Sequence, residues 1–482
     1  MWNPVAVRLI WTLVLVASLT CSGFVVPSTA PASAPTVDLR VLSLSLEFFA
    51  FPGYMQLTST TNCLAHLASL RGTPPAVRIG GTTQDRATYD PSLTAGVNYT
   101  VASSADAPDS LTYGPPFFTL AAQLQGPVTI GLNRQLNNQT NTLLAAKQAE
   151  KSVPNLLAFE LGNEPEFYAS GSPIIPPSGW SPAADGASQQ AWQTALAPSL
   201  GQVFQAAVYL QFPTWSTAGL IPRLGPAINH TKTFSGHSYP QSACGGASTN
   251  LQSLMSHSGI VSYTSQYKSE AAAAHAQGKP YFLGETNSGR PGGGGISPTF
   301  GAALWIVDYV LQGALNGIDR LYFHQGTIGN CQYCFWGRFT TGAPWYGAYF
   351  VSQFLGTDSA ALAALDDGTG GLAAYAVFSA AGAPLRVLVL NSAYYNGTGT
   401  RAVSHVALQG LPDAGGTVRV LRLTAPSAVA RVDEGAAVTI GGGLTFAGDC
   451  SGVGTPALES VPVQGGAATV AVNASEAVIL YL

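Results

Sequence analysis

The chain has 482 residues, 46% hydrophobic and 10% aromatic, enough for one large domain with a smaller one beside it. Only 9% are charged, 20 basic against 24 acidic for a net charge of −4, where soluble proteins carry about a quarter. No basic block suited to phosphates is present, which excludes nucleic acid as a partner, and 19 Tyr, 20 Phe and 8 Trp exclude a disordered chain.

Arg8 precedes an apolar run, Leu9 to Leu19, followed by Ser22, Gly23 and a Pro/Ala/Ser stretch from Pro27 to Pro35. This is the order of a secretory leader, expected over residues 1–26. The run is shorter than the ~20 residues that span a bilayer, and no later stretch is long enough either. The mature chain is therefore expected to be secreted, with no membrane attachment; an uncleaved anchor is the alternative. Five Asn-X-Ser/Thr sequons, at Asn98, Asn138, Asn229, Asn396 and Asn473, agree with export. Cys21 is expected to leave with the leader, so Cys63, Cys244, Cys331, Cys334 and Cys450 remain, an odd number. Cys331-Gln-Tyr-Cys334 has the spacing of half a zinc site. Without a second such pair or a nearby His pair, it reads as a disulfide.

From Val41 to Phe350 short apolar runs alternate with helix-like stretches. The runs are Val41–Leu46, Ala76–Ile79, Pro127–Leu132, Leu156–Leu161, Phe204–Leu210, Thr233–Ser238, Pro280–Leu283 and Asp319–Phe323. Continuous apolar runs with a polar C-terminal end are the mark of buried parallel strands. Leu64, Leu67 and Leu70 predict a helix after an N-capping Ser/Thr cluster, and Phe300 to Leu315 another that ends at Asn316-Gly317. Eight such units predict an α/β fold, a (β/α)8 TIM barrel over 36–355. An open doubly wound sheet fits less well, because no glycine-rich phosphate loop follows the first strand. Gly356–Gly371 reads as a linker. Beyond it Leu385–Leu390, Val418–Leu423, Val438–Ile440, Ala468–Val472 and Ala477–Leu482 predict a C-terminal antiparallel β-sandwich domain over 372–482.

Barrel active sites form at the C-terminal ends of the strands. The fourth strand ends in Glu160-Leu-Gly162-Asn163-Glu164-Pro165, and the seventh in Gly284-Glu285-Thr286-Asn287. Two carboxyls from opposite strands at one mouth suit the hydrolysis of a sugar. One protonates the leaving oxygen and the other attacks the anomeric carbon, with retention if the two lie about 5–5.5 Å apart.

With these residues the sequence resembles the retaining (β/α)8 glycosidases called clan A. Four further segments resemble glycoside hydrolase family 79, the β-glucuronidase and heparanase-like enzymes. They are Val77 to Arg86 (VRIGGTTQDR), His237-Ser238-Tyr239-Pro240, Gly284 to Ser288 (GETNS) and Thr299 to Trp305 (TFGAALW). The resemblance covers nearly the whole mature chain. It implies that Glu164 is the general acid and then base, and Glu285 the nucleophile, whose charge keeps Glu164 protonated. It places Asn163 on the sugar 2-hydroxyl and Arg78 beside the nucleophile. Tyr239 is expected to steady Glu285, with His237 at the same strand end, and Glu47, His324 and Gln325 are expected in the same mouth. The mechanism needs no metal or organic cofactor.

The implied activity is release of (4-O-methyl-)glucuronic acid from glycans or glycoconjugates. A uronate site needs donors for the C6 carboxylate. The loop Ser288-Gly-Arg290-Pro-Gly292-Gly-Gly-Gly295 offers Arg290 and backbone N–H groups around Gly292. A clan A exo-glycosidase for a neutral sugar and a non-catalytic carbohydrate-binding wall protein are the alternatives.

Overall fold

The computed structural model describes residues 21–290, 293–337, 340–412 and 416–482. Most of the expected leader, residues 1–20, and Gly292 lie outside the described residues. Eight strands pair in sequential order and close into a parallel barrel: Leu42–Glu47, Val77–Gly80, Val128–Leu132, Leu156–Leu161, Phe204–Tyr209, Thr231–Ser238, Tyr281–Thr286 and Arg320–Gln325. Closure comes from the eighth strand, with Leu321 opposite Leu42 and Gln325 opposite Leu46. Each strand matches an expected apolar run to within three residues at either end. The seventh is longer than expected, so Glu285 is still in the ladder rather than beyond it.

Helices wrap the barrel because each strand buries both faces and must be covered. Phe300–Leu315 forms as expected, with fifteen buried residues and Gly317 in the left-handed region just past its end. The helix Thr58–Arg71 begins at the Ser/Thr cluster rather than after it; Leu57 is its N-cap and makes no side-chain cap bond. Between the second and third strands lies an insertion that the apolar pattern does not reveal. Its strands Ala87–Tyr89, Val97–Tyr99 and Leu111–Tyr113 form a small separate sheet.

The second domain packs a seven-stranded antiparallel sheet against a three-stranded one around Val387, Val389, Val406, Leu408, Val420, Val470 and Leu480. Cys21–Val25 pairs in parallel with Val403–Gln409, and Val26 is buried in this core, so the last residues of the span expected for the leader pack on the β-domain. The stretch read as a linker contains the strand Ala361–Ala364, paired with Leu372–Phe378.

Many ties cross from barrel to β-domain, a disulfide and a buried histidine among them. Cys63 is bonded to Cys450, and His257 bridges Asp308 of the barrel helix to Asp366 at 2.8 and 2.9 Å. Cys331 and Cys334 form the expected local disulfide, and Cys244 is an exposed thiol. Among the described residues no helix is long and apolar enough to cross a membrane.

Candidate active site

Arg78, fully buried on the second strand, organises the barrel mouth. Its Nε donates to both Glu160 oxygens at 3.0 Å, and its Nη1 to Ser45 Oγ at 3.0 Å and Glu285 Oε2 at 2.7 Å. Nη2 reaches Glu160 and, at 2.7 Å, the Asn163 side-chain oxygen. That contact assigns the Asn163 amide and leaves its N–H groups to face a ligand. The Tyr239 hydroxyl donates to Glu285 Oε1 at 2.7 Å, so both nucleophile oxygens are held.

Glu164 sits across the mouth at φ +43, a left-handed conformation that L-residues adopt at a cost. The turn is fixed from both sides. Gly162 has φ +83, and a Cβ there would come within 2.2 Å of the Tyr168 hydroxyl. Asp85 accepts from the Asn163 N–H at 2.7 Å and from the Tyr168 hydroxyl at 2.8 Å. His237 Nδ1 lies 3.0 Å from Glu164 Oε1.

One oxygen of Glu164 and one of Glu285 lie within 4.8 Å of each other. Their ionisation is opposed. Burial, with the neighbouring Glu285 charge, pushes the Glu164 carboxyl up to about 8. Burial also acts to raise Glu285, but nearby positive groups and the Tyr239 bond hold it well below the usual carboxylate range. His237, although close, is itself pushed down to about 4 by burial and is neutral at ordinary pH. The Arg78 guanidinium in direct contact, helped by His324 at 3.7 Å, therefore supplies the field. A protonated Glu164 beside an ionised Glu285 is an acid and a nucleophile poised together. Glu164, His237 and Glu285 also have the donor types of a metal site. A guanidinium already bonded to Glu285 makes that pocket repulsive to a cation.

Among the other expected residues, Glu47 and His324 face the mouth as one unit. Glu47 Oε1 accepts from the Thr83 and Phe48 N–H groups, and Oε2 lies 3.4 Å from His324 Nε2. This packing requires Gly81, whose φ is +117 and whose Cβ would lie 2.4 Å from the carboxylate. Gln325 is a correction. It is fully buried, with its amide on the Phe323 and His324 carbonyls and its oxygen accepting from Phe335 N–H, so it ties down a loop instead of facing a sugar. Arg290 rests its guanidinium over the Phe167 ring at 5.2 Å, on the Glu164 side of the mouth.

Three residues of the site were not expected from sequence. Glu160 anchors Arg78, and its signal was present: a carboxylate inside an apolar strand needs a buried partner. Asp85 holds the turn that presents Glu164. Tyr333, between the paired cysteines, lies tilted against the rings of Tyr239 and His324 at 6.3 and 6.2 Å, near the Glu285 and Glu47 carboxylates. Nothing local in Cys-Gln-Tyr-Cys signals that placement.

Residues 374–479 match the glycosyl hydrolase family 79 C-terminal beta domain. A β-glucuronidase of Aspergillus niger is 33% identical over 74% of this chain and 72% of its own length. One from Neurospora crassa is 32% identical over 68% of this chain and 65% of its own. The crystal structure of a 4-O-α-L-rhamnosyl-β-D-glucuronidase from Fusarium oxysporum superposes with a TM-score of 0.92, at 46% identity, over 95% of this chain and 100% of that one. A family 51 arabinofuranosidase from Bifidobacterium longum, at 11% identity, a TM-score of 0.61 and covering 95% of this chain and 98% of its own, shares the fold. The chain belongs to glycoside hydrolase family 79 and is a glycoside hydrolase.

Proposed function

We propose that the protein is a retaining β-glucuronidase, with Glu164 as acid and then base and Glu285 as nucleophile. The observation that carries this is the approach of one Glu164 oxygen to within 4.8 Å of one Glu285 oxygen, with burial pushing the first carboxyl up and the second held well down. Such an approach fits a retaining pair better than the about 6.5–9.5 Å between the carboxyls of an inverting one. Glu164 protonates the glycosidic oxygen while Glu285 attacks the anomeric carbon and forms a glycosyl-enzyme. Glu164, now ionised, takes a proton from water, which attacks the same carbon and frees Glu285. Asn163 is placed for the 2-hydroxyl and Tyr239 releases the nucleophile oxygen it holds.

The glucuronide preference rests on the two β-glucuronidase relatives and the glucuronidase structure at 46% identity. Arg290, on the loop after Glu285, is the charged donor this reading assigns to a C6 carboxylate. The test is kcat/KM on nitrophenyl β-glucuronide against the β-glucoside, with and without a 4-O substituent. One ionic hydrogen bond to the uronate is worth about ten- to hundredfold in that ratio. A preference for the glucoside would refute the substrate assignment, and a first-formed α-anomer would refute retention.

The site of action is proposed to be outside the cell. The leader-like N-terminus, two disulfides and exposed Asn98, Asn138, Asn229 and Asn396 support this reading. Culture medium without the protein, on expression with its own N-terminus, would refute it.

A further inference from the structure

The fifth barrel strand, Phe204–Tyr209, ends in a conformation that its residues resist. Ala207 and Val208 have φ +74 and +66, in the left-handed region, where a β-branched residue such as valine is an outlier. Against the sixth strand the register steps from Ser235 opposite Ala207 to Gly236 opposite Tyr209, so Val208 is the extra residue of a β-bulge. Bulges beside active sites re-aim the groups around them. Gln189 braces this one. It accepts from the Ala207 N–H at 3.1 Å and donates to the Tyr209 hydroxyl at 3.0 Å and to Asp185 at 2.8 Å. Backbone strain persists only where the surroundings fix it, and it collects at functional sites.

The bulge aims backbone groups at the turn that carries the acid. The Val208 carbonyl accepts from the Glu164 N–H at 3.2 Å. Just beyond it, the Leu210 and Gln211 N–H groups both donate to Glu166 Oε1, the second at 2.8 Å. Glu166 lies in the 3-10 turn Pro165–Phe167, directly after Glu164. The acid is therefore tied to the fifth strand twice, by its own N–H and by the side chain two residues on.

A clamp alone does not call for a carboxylate. A glutamine amide would accept from the same two N–H groups without burying a charge. The second carboxylate oxygen, Oε2, is also buried and has no hydrogen-bond partner among the described residues. Burial, with the neighbouring Glu164 charge, pushes the Glu166 carboxyl up to about 7, still below Glu164 at about 8. Glu166 is thus ionised where Glu164 gives up its proton. The titratable groups facing it are Glu164 on its own turn, Tyr209 on the fifth strand and His237 on the sixth. Burial keeps both the phenol and the imidazole neutral there. Glu164 also faces Glu285, Arg78, His324 and Arg290, the last resting over the adjacent Phe167.

We propose that Glu166 is a positioning residue for the acid: it clamps the turn that carries Glu164 to the bulged end of the fifth strand and sets a buried negative charge beside it. The clamp fixes where the proton is delivered, and the charge opposes its loss to solvent. The proposal rests on the assignment of Glu164 as the acid.

The test compares full-length wild type, Glu166→Ala, Glu166→Gln and Glu164→Gln on the nitrophenyl and methyl β-glycosides of whichever sugar the wild type turns over fastest. Glu166→Ala removes the clamp. Its nitrophenyl-to-methyl ratio of kcat/KM should rise about tenfold, because only the methyl leaving group depends on the proton. Glu166→Gln keeps the acceptor and removes the charge. Its ratio should stay within about threefold of wild type, while the alkaline limb of kcat/KM moves to lower pH. A merely structural role would lower the melting temperature and slow both substrates alike. A ratio unmoved in Glu166→Ala, or a limb unmoved in Glu166→Gln, overturns the proposal. Should the alanine variant not fold, the limb of Glu166→Gln decides alone. A large rise of the ratio in Glu164→Gln with none in Glu166→Ala overturns the clamp and leaves the acid in place. A wild-type ratio in Glu164→Gln shows that the acid is another residue, and both readings fall.

Discussion

Replacing Arg78 by lysine keeps the charge at the centre of the site and removes its geometry. The guanidinium spreads its donors over Glu160, Ser45, Glu285 and Asn163, with the contacts to Glu285 and Asn163 both at 2.7 Å. An ammonium is a point donor. It stays with Glu160 or moves to Glu285, and cannot also fix the Asn163 amide. Two charge-assisted hydrogen bonds at about 1.5–3 kcal/mol each are lost from the transition state. That corresponds to about 3–6 kcal/mol, or roughly a 10²- to 10⁴-fold fall in kcat/KM. The buried positive charge is kept between Glu160 and Glu285, so the protein is expected to fold. The assay is kcat and KM on nitrophenyl β-glucuronide across pH, with thermal melting in parallel. Arg78 helps hold the Glu285 carboxyl down, so weakening that contact raises it and moves the acidic limb of the profile to higher pH. A purely structural role would lower the melting temperature and leave that limb in place. A lysine variant within about threefold of wild type, with the same limb, would refute the reasoning.

Three further outcomes follow from the same geometry. Activity in the free enzyme should fall as pH rises through about 8, where Glu164 loses its proton; a kcat/KM profile flat to pH 9 would contradict this. Glu164→Gln should lose that alkaline limb and lose about 10²- to 10⁴-fold on an unactivated disaccharide, but much less on a nitrophenyl glycoside, with azide restoring turnover as the β-glycosyl azide. Burial acts to lower His257, but bonds to Asp308 and Asp366 raise it to about 10. A raised folded value means stability that is fully present below pH 6.5 and is lost as pH climbs through about 10. His257→Gln should therefore lower the melting temperature clearly at pH 6, with the deficit narrowing toward pH 10.

The barrel was legible because its strands are buried on both faces. Leu156–Leu161 and Tyr281–Thr286 are apolar almost throughout, and their ends mark themselves with Gly-Asn-Glu-Pro and Gly-Glu-Thr-Asn. Positions decided by a distant partner were harder to read. Gln325 and His324 are adjacent polar residues at one strand end, yet the Phe335 N–H takes one inward and Glu47 holds the other at the mouth. The inserted strands have three residues each, too few for an alternation to register.

The low charge content takes on meaning once the buried charges are located. With 9% charged residues, the chain nevertheless buries a group of them, Arg78, Arg134, Glu47, Asp85, Glu160, Asp185 and Glu285, at or just below the barrel mouth. Desolvating such groups consumes much of what their pairing returns, so stability alone is a weak reason to keep them. Their connections give a better one. Glu160 orients Arg78, Arg78 orients Glu285 and Asn163, and Asp85 fixes the backbone that presents Glu164. Asp85 also accepts from the N–H of Arg134, whose guanidinium is paired with Asp185. The two carboxyls differ in ionisation because this network brings the guanidinium to one and leaves the other beside a neutral imidazole. Any substitution that breaks it at Glu160 or Asp85 thus acts on Glu285 or Glu164 without touching a substrate.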